Sequence, residues 1–284
     1  MRVSGGVESF DEIMALPELV EIERGKKPDD ATVSFQNVSF SYSGDDNLAL
    51  SDVSFTARAG EVTAIVGTSG GGKSTIAHLI PRFWDVSRGR ICIGDADIRE
   101  MTEQDLMRQV SFVFQDVYLF NQSIRDNIKI GFPEASDEEV KEAAKAACCD
   151  EFIADLPNGY DTVLGEGGIH LSGGEAQRIS IARAIIRNTP VLVLDEATAF
   201  ADPENERLIQ TALRRLMEGR TVIIIAHRLG SIKDADNILV MNEGKLVESG
   251  THSALLQTNG VYSDMWTRYT QSLEWGIGKE TVIS

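Results

Sequence analysis

One glycine-rich segment constrains the fold more than any other part of the chain. Gly67-Thr-Ser-Gly-Gly-Gly-Lys-Ser74 fits the pattern GxxxxGK[ST] in full. It follows a nearly continuous apolar run, Glu61–Val66, typical of a strand buried on both faces, and opens a predicted helix from Lys73 to about Phe83. A strand, a glycine loop and a helix in this order predict an α/β core whose loop N–H groups surround an anion.

The residue types in this segment suit a polyphosphate. Glycines allow successive backbone N–H groups to turn inward, and the start of a helix adds partial positive charge at the same point. We expect Lys73 to reach the β- and γ-phosphates of a nucleotide and Ser74 to hold Mg2+. The alternative is a glycine-rich turn without a ligand, which would need neither the lysine nor the hydroxyl. The expected nucleotide contacts here are Gly67, Thr68, Ser69, Gly70, Gly71, Gly72, Lys73, Ser74 and Thr75.

Alternating strand and helix patterns extend the α/β prediction along the chain. Val191–Leu194 and Val222–Ile225 are short β-branched runs, separated by a helix of the Glu204–Met217 type. This β-α-β order predicts a parallel sheet flanked by helices. The stretch from about Phe120 to Arg187 has mostly helical spacing, which predicts a helical insertion between two parts of one core.

Composition narrows the class of protein. The chain has 284 residues, no apolar run long enough to cross a membrane and no signal-peptide pattern, so we expect it to be soluble as given. Its formal net charge of -17 argues against a nucleic-acid-binding protein, because an acidic surface repels phosphate backbones. Cys92, Cys148 and Cys149 form no CxxC pair. We expect Cys148 and Cys149 to pack on a helix as free thiols, which suits a reducing cytosol.

A second candidate site lies where a buried strand ends in two carboxylates. Val191-Leu-Val-Leu-Asp195 is followed directly by Glu196. Asp195 at a strand end suits Mg2+ coordination, and Glu196 would orient or deprotonate a water beside a γ-phosphate. Taken alone, an Asp-Glu pair after a strand is equally well explained as a helix cap. The phosphate loop earlier in the chain favours the catalytic interpretation.

A third segment is a second glycine-rich helix start. Leu171-Ser-Gly-Gly-Glu175 precedes a helical run, Ala176–Arg187. It also exposes backbone N–H groups and a hydroxyl to an anion, but it has no lysine after its glycines. One complete and one incomplete phosphate site in a chain suggest that each needs the other half from a partner. The expected contacts with a nucleotide on the partner are Ser172, Gly173, Gly174 and Glu175.

These three segments, in this order and spacing, resemble the nucleotide-binding domain of ABC (ATP-binding cassette) proteins over about residues 32 to 255. The resemblance implies an α/β P-loop NTPase (RecA-like) core with a mainly parallel sheet, an antiparallel β subdomain near the N-terminus and an α-helical subdomain inserted at about 118–187. It also implies that Tyr42 stacks on adenine, that Gln115 contacts Mg2+ and the attacking water, and that His227 contacts the γ-phosphate. The implied ligands are ATP and Mg2+, with Ser74, Gln115 and Asp195 at the metal.

The turn after the acidic pair departs from the family. The family usually has Ser-Ala-Leu-Asp here, and this chain has Ala199-Phe-Ala-Asp202. Asp202 keeps the dimer contact that the resemblance implies, whereas Phe200 is bulky where a small residue is usual. The departure bears on contact across the dimer and on coupling, not on ATP binding.

Two further segments indicate the kind of ABC protein. Tyr118-Leu-Phe-Asn-Gln-Ser-Ile-Arg-Asp-Asn-Ile128 and Gly165-Glu-Gly167 resemble exporter-type half-transporters, in which a membrane domain precedes the ATPase on one polypeptide. We therefore expect a short amphipathic helix at Val7–Leu16 to be the tail of such a domain. The expected division is a linker at 1–30, the nucleotide-binding domain at 31–270 and a C-terminal tail at 271–284.

The resemblance implies two partners, a second nucleotide-binding domain and a membrane domain, at the cytoplasmic face of the inner or plasma membrane. The motifs do not encode the cargo. Phe83-Trp-Asp-Val-Ser87 and the turn ending at Asp202 resemble siderophore-associated bacterial members, and lipids, peptides and drugs are the alternatives. A DNA-repair or translation ABC protein would need a long coiled coil or a second cassette. A cassette that only binds ATP would be expected to lose Glu196, His227 or the segment Leu171–Glu175, and all three are present.

Overall fold

The computed structural model describes residues 22–44, 47–165, 168–195, 203–226 and 229–280, with side chains to residue 272. The helix expected at Val7–Leu16 lies outside these residues. No helix of the described part of the chain is both long and apolar enough to cross a membrane.

Two sheets form the framework. The strands are β1 (Val33–Phe40), β2 (Leu50–Ala57), β3 (Val62–Gly67), β4 (Arg88–Ile93), β5 (Ala96–Asp97), β6 (Val110–Val113), β7 (Val191–Asp195), β8 (Thr221–Ile225), β9 (Asn237–Asn242) and β10 (Lys245–Gly250). The first sheet is antiparallel and has the order β2-β1-β4-β5. The second has the order β10-β9-β3-β8-β7-β6 and is parallel from β9 to β6, with β10 antiparallel at its edge.

The antiparallel sheet follows from alternation along its strands. In β1 the side chains of Val33, Phe35, Val38 and Phe40 are buried, and the residues between them are more exposed. The ring of Phe35 stacks on Phe55 of β2 with 4.5 Å between the ring centroids. This sheet therefore has one apolar face, which it buries against the rest of the domain.

Helices cover both faces of the parallel sheet. They are α1 (Lys73–Leu79), α2 (Glu103–Gln109), α3 (Ile124–Lys129), α4 (Asp137–Ala146), α5 (Asp150–Ala154), α6 (Gly173–Arg187), α7 (Pro203–Met217), α8 (His252–Gln257) and α9 (Val261–Glu280). Short 3-10 turns lie at Ile98–Glu100, Gly159–Asp161 and Leu229–Ser231. Helices α4 and α6 both begin with a complete capping box, Ser136 with Glu139 and Ser172 with Glu175, which satisfies N–H groups that no helical carbonyl can reach.

Among the described residues, three apolar clusters hold these layers together. One lies between the antiparallel sheet, α1 and one face of the parallel sheet. The second joins α3 to α7 with the other face, at β6, β7 and β8. The third packs the C-terminal helices α8 and α9 on β3 and β9. The predicted fold class is confirmed: an α/β core with a mainly parallel sheet, an N-terminal antiparallel sheet and helices between β6 and β7.

The polar segment before β1 packs on the domain. The N–H of Lys26 donates to the carbonyl oxygen of Glu100 at 2.8 Å, and its ammonium lies 2.6 Å from a carboxylate oxygen of Asp95. The carboxylate of Asp29 accepts a bond from the N–H of Asp95 at 2.8 Å. A side chain on Gly25 would collide with the backbone at Thr102, so the close approach there requires glycine. The chain is thus fixed to the antiparallel sheet before β1 begins.

Two local predictions differ from the structure. Helix α1 ends at Leu79 rather than near Phe83, because Arg82 adopts a left-handed conformation with φ 59 and pairs with Asp85 at 2.7 Å. Cys148 and Cys149 were expected on a helix, but both lie between α4 and α5, where Cys148 has φ 55 and the buried Cys149 is the N-cap of α5. All three cysteines are free.

Candidate nucleotide site

The loop between β3 and α1 requires glycine at two positions. Gly67 has φ 147, and a side chain there would collide with the carbonyl oxygen of Met241. Gly72 has φ 93, and its Cβ would lie 2.6 Å from Leu50. Both backbone conformations are strained for any other residue. The glycine pattern found in the sequence therefore reflects the close approach of β9 at Gly67 and of β2 at Gly72.

Lys73 lies inside this loop. Its side chain is buried, and the ammonium donates to the carbonyl oxygens of Gly67 at 3.1 Å and Thr68 at 2.8 Å. The N–H of Gly71 donates to the same Thr68 oxygen at 3.1 Å, which closes the turn. The loop thus places the positive charge of Lys73 at the N-terminus of α1, where a polyphosphate would lie.

A cavity of about 340 Å3 opens over this loop. The hydroxyl of Tyr42 bonds to Oγ1 of Thr75 at 3.1 Å, and edge-on contacts with Phe40 and Trp84, at 4.8 and 5.2 Å between centroids, hold the Tyr42 ring. The ring itself is half exposed, so one face is available for stacking. The structure thus brings together the predicted residues Tyr42 and Ser69 to Thr75. The cavity is lined by Tyr42, Ala49, Ser69, Gly70, Gly71, Gly72, Lys73, Ser74 and Thr75, of which Ala49 was not predicted.

The parallel sheet places the other predicted residues at the same edge. Asp195, the last residue of β7, pairs in register with Ile225 of β8, and Ile225 pairs with Ile65 of β3. Gly67 comes two residues after Ile65. Val113, the last residue of β6, pairs with Leu194, and the exposed Gln115 comes two residues later. The carboxyl ends of parallel strands therefore bring Asp195 and Gln115 to the side of the phosphate loop, as in other open α/β sheets.

Three predicted residues lie outside the described part of the chain. Glu196 follows β7 directly, His227 comes two residues after β8, and Asp202 precedes α7. Their roles stay predictions from the sequence.

The third segment forms a helix start that faces solvent. Ser172 is the N-cap of α6, and its Oγ accepts a bond from the N–H of Glu175 at 3.3 Å. The carboxylate of Glu175 accepts in return from the N–H and hydroxyl of Ser172, at 2.8 and 2.7 Å. Ser172 and Gly173 are exposed, whereas Gly174 is buried against Asn205. None of the four predicted residues of this segment is among the described residues that line the cavity.

Comparison with known protein families identifies the family of this chain. The family model described as ABC transporter matches residues 50–199, which include the phosphate loop, the α6 start and the acidic pair. The chain belongs to the ABC transporter family.

The relatives of this ABC protein are about twice its length or longer. The ATP-dependent lipid A-core flippase of Syntrophus aciditrophicus is 48% identical over 92% of the chain and 42% of the relative. The mycobactin import ATP-binding/permease protein IrtA of Mycolicibacterium smegmatis is 50% identical over 87% of the chain and 29% of the relative. A bacterial Atm1-family ABC exporter solved with ATP bound superposes with a TM-score of 0.83, at 44% identity, over 94% of the chain and 47% of that structure. The chain thus spans less than half the length of these proteins.

The structure of this ABC protein adds a feature that the sequence analysis did not single out. Large apolar side chains are exposed on both sides of Gln115 in the sequence and at the end of α3. The exposed side chains are Phe114, Tyr118, Phe120, Ile130 and Phe132, and we call them the apolar surface. Tyr118 is 70% exposed, and its ring contacts Phe120 edge-on at 4.9 Å. The sequence could not reveal this surface, because aromatic residues at the end of a strand and in the loop after it are usually buried.

Proposed function

We propose that this chain is the ATP-binding and ATP-hydrolysing domain of a membrane transporter. The observation that carries the proposal is the cavity at the phosphate loop, where Lys73, Ser74 and the half-exposed ring of Tyr42 meet. Stacking on Tyr42 and a polyphosphate at Lys73 together describe a nucleoside triphosphate. The likeness to an exporter solved with ATP bound supports ATP as that nucleotide.

Mg2+ fits the same edge of the sheet. Ser74 follows Lys73 at the start of α1, and the half-buried Asp195 ends β7. In the described part of the chain no three His, Cys, Asp or Glu side chains gather into a metal cluster. Mg2+ does not require one, since it is commonly held by one or two protein oxygens together with substrate phosphates. Bound there, the ion would neutralise charge on the phosphates.

In this mechanism the chain's own groups divide the work. Loop N–H groups and Lys73 would hold the phosphates. Ser74, Asp195 and Gln115 would hold the metal, and Glu196 would orient the water. We further propose that a second copy of the domain completes the site, with Ser172 and Gly173 meeting the γ-phosphate. Their exposure and their absence from the cavity lining of their own chain support this arrangement. Asp202 and His227 would act at the same dimer interface and γ-phosphate.

Replacing Lys73 tests the phosphate loop. We expect Lys73→Ala to weaken ATP binding by roughly ten- to a hundred-fold, because a hydrogen bond to a charged group contributes about 1.5–3 kcal/mol. Titration with a fluorescent ATP analogue measures this. Lys141→Ala, at an exposed position of α4, is the matched control and should bind normally. Unchanged affinity in Lys73→Ala would refute the assignment of the loop.

We propose a membrane domain as the occupant of the apolar surface. Large exposed apolar side chains that contact each other, as Tyr118 and Phe120 do, mark interaction sites more often than isolated ones do. IrtA carries the name permease, and the relatives contain a further half or more that this chain does not align with. Residues 1–30 would link that domain to the nucleotide-binding domain at 31–270. The surface flanks Gln115, so docking there would reach the metal site.

Replacing Tyr118 tests this docking surface. On a full-length polypeptide that includes the membrane domain, we expect Tyr118→Ser to reduce transport by at least about ten-fold. The loss follows from the exposed aromatic ring at the proposed contact, since interface aromatics commonly contribute 2 kcal/mol or more, on the order of a thirty-fold effect. Val247→Ser on β10, at the opposite edge of the sheet, is the control. Normal transport by Tyr118→Ser would place the membrane domain elsewhere.

The cargo is not assigned. The relatives include a lipid A-core flippase and a mycobactin importer, and so the expected siderophore cargo is not confirmed. A lipid or drug cargo fits the same chain.

A further inference from the structure

We propose that Arg183 is a positioning residue, which fastens the segment 118–123 to helix α6 and thereby sets the position of Gln115. The inference rests on the proposed function, since it assigns a new role in the same ATP site. It concerns one guanidinium group, whose three hydrogen bonds all go to backbone or amide oxygens.

Arg183 makes these contacts from the middle of α6. Its Nε donates to the carbonyl oxygen of Asn127 at 2.7 Å, and one terminal nitrogen donates to the Asn127 amide oxygen at 2.5 Å. The other terminal nitrogen donates to the carbonyl oxygen of Tyr118 at 2.7 Å. The guanidinium also lies over the ring of Phe120, 5.8 Å from its centroid. Four contacts from one side chain thus join α6, α3 and the loop before α3.

Asn127 extends the same connection. Its side chain is fully buried, and its amide oxygen accepts a bond from the N–H of Phe120 at 2.9 Å. Its amide nitrogen donates to the carbonyl oxygens of Phe120, Gln122 and Ser123 at 3.0, 3.2 and 3.0 Å. The segment 118–122 has no regular secondary structure, so these side-chain bonds supplement its few backbone bonds, such as the one from the N–H of Leu164 to the carbonyl oxygen of Gln122 at 3.0 Å.

The charge of Arg183 is held by neutral groups alone. Among the described residues no carboxylate pairs with it, and burial lowers its pKa to about 10. It therefore remains protonated at neutral pH, with its donors distributed over three oxygens. Lysine at this position would keep the charge, but one nitrogen cannot occupy the positions of three.

The loop depends on this connection more than the helix does. Helix α6 buries Ile179, Ile181 and Ala182 in the second apolar cluster, which holds it independently of Arg183. The loop exposes Tyr118, and its first half is joined to the body of the domain mainly through Asn127 and Arg183, whereas its end is also held where Gln122 accepts a bond from the N–H of Leu164 at 3.0 Å. Gln115 lies three residues before Tyr118. Loosening the loop would therefore displace Gln115 in the same chain, while Ser172 at the start of α6 stays in place.

The first test compares Arg183→Lys with Arg187→Lys. Arg187 lies one turn further along α6 and also donates to a carbonyl oxygen, that of Met107, at 2.7 Å, but it does not contact the loop. We expect Arg183→Lys to lower kcat for Mg-ATP hydrolysis by about ten-fold, since small displacement of a catalytic group costs up to roughly a hundred-fold. Its KM for ATP should be unchanged, and Arg187→Lys should match the parent protein. Parent-like kcat in Arg183→Lys would overturn the proposal.

The second test locates the defect within the dimer. A Lys73→Ala chain mixed with a Ser172→Arg chain should have one working site, with Lys73 and Gln115 from the Ser172→Arg chain and Ser172 from the other. Adding Arg183→Lys to the Ser172→Arg chain places it beside the working Gln115, and activity should fall. Adding it to the Lys73→Ala chain places it beside the working Ser172, and activity should be retained.

The other outcomes of this mixing experiment exclude the proposed role of Arg183. Equal loss in both mixtures would mean that Arg183 supports only the stability of the fold, and loss only beside the working Ser172 would mean that it acts through α6. If the unmodified mixture is inactive, the proposed two-chain site fails, and kcat and KM of the single variants then decide the role of Arg183 by themselves.

Discussion

Glu196→Gln is expected to reduce Mg-ATP hydrolysis by a factor of about 10² to 10⁴ while leaving ATP affinity unchanged. The amide has nearly the same shape as the carboxylate and still accepts a hydrogen bond, so the water can remain in place. It is a very poor base, so the proton of that water has no acceptor. Phosphate release under excess Mg2+ measures turnover, and the fluorescent ATP titration measures affinity.

The control for this variant is Glu138→Gln in the first turn of α4, where the side chain is exposed and remote from β7. It loses the same charge and should hydrolyse ATP normally. If Glu196→Gln turned over like the parent protein, another group would activate the water. If it lost ATP affinity as well, Glu196 would serve binding rather than proton transfer.

Two chains that carry different substitutions are expected to restore each other's ATP hydrolysis. At ATP concentrations near the parent KM, Lys73→Ala and Ser172→Arg should each be nearly inactive alone, because each substitution affects both sites of a symmetric dimer. Mixed in equal amounts they should recover activity, because each mixed dimer has one working site, and the ceiling is about half of parent activity per chain. The measurement is phosphate release across a series of mixing ratios.

Light scattering provides an independent measurement of the same arrangement. In the Glu196→Gln background, where ATP persists, the chain should be monomeric without nucleotide and dimeric with Mg-ATP, because a ligand bound across an interface favours the dimer. Adding Ser172→Arg should prevent the dimer while Lys73 still binds ATP.

Ser136→Arg is a closely matched control, since it removes the same type of capping box from α4. It should dimerise normally. Activity that is linear in protein concentration down to the lowest measurable level, together with a fully active Ser172→Arg chain, would exclude a shared site.

The core of the fold could be predicted because its signals are local. The apolar runs of β3, β7 and β8, and the glycines of the phosphate loop, each depend on neighbours a few residues away. The parallel order then follows from the helices between the strands. Tyr42, Gln115 and His227 needed the family resemblance, since the residues alone carry no such pattern.

What could not be predicted depends on contacts between distant segments. Asn127 within α3 and Arg183 within α6 have the sequence context of solvated helix residues, yet Asn127 is fully buried and the two bond to each other. The exposure of Tyr118 and Phe120 likewise depends on a distant residue, because Asn127 bonds to the backbone of the loop and leaves these two side chains on its outer side. The break of α1 before Arg82 depends on the pairing with Asp85, which the helical pattern did not reveal.

The fastening of Lys26 and Asp29 to the antiparallel sheet changes how far an upstream domain could move. If the chain were free up to Thr32, the six residues from Lys26 would add up to about 20 Å of reach, at roughly 3.3–3.6 Å per residue. Because Lys26 is bonded through both its backbone and its side chain, that slack is removed. A segment attached on the N-terminal side would therefore pull on the antiparallel sheet at Asp95 and Glu100, where Lys26 is bonded, and not first at Thr32.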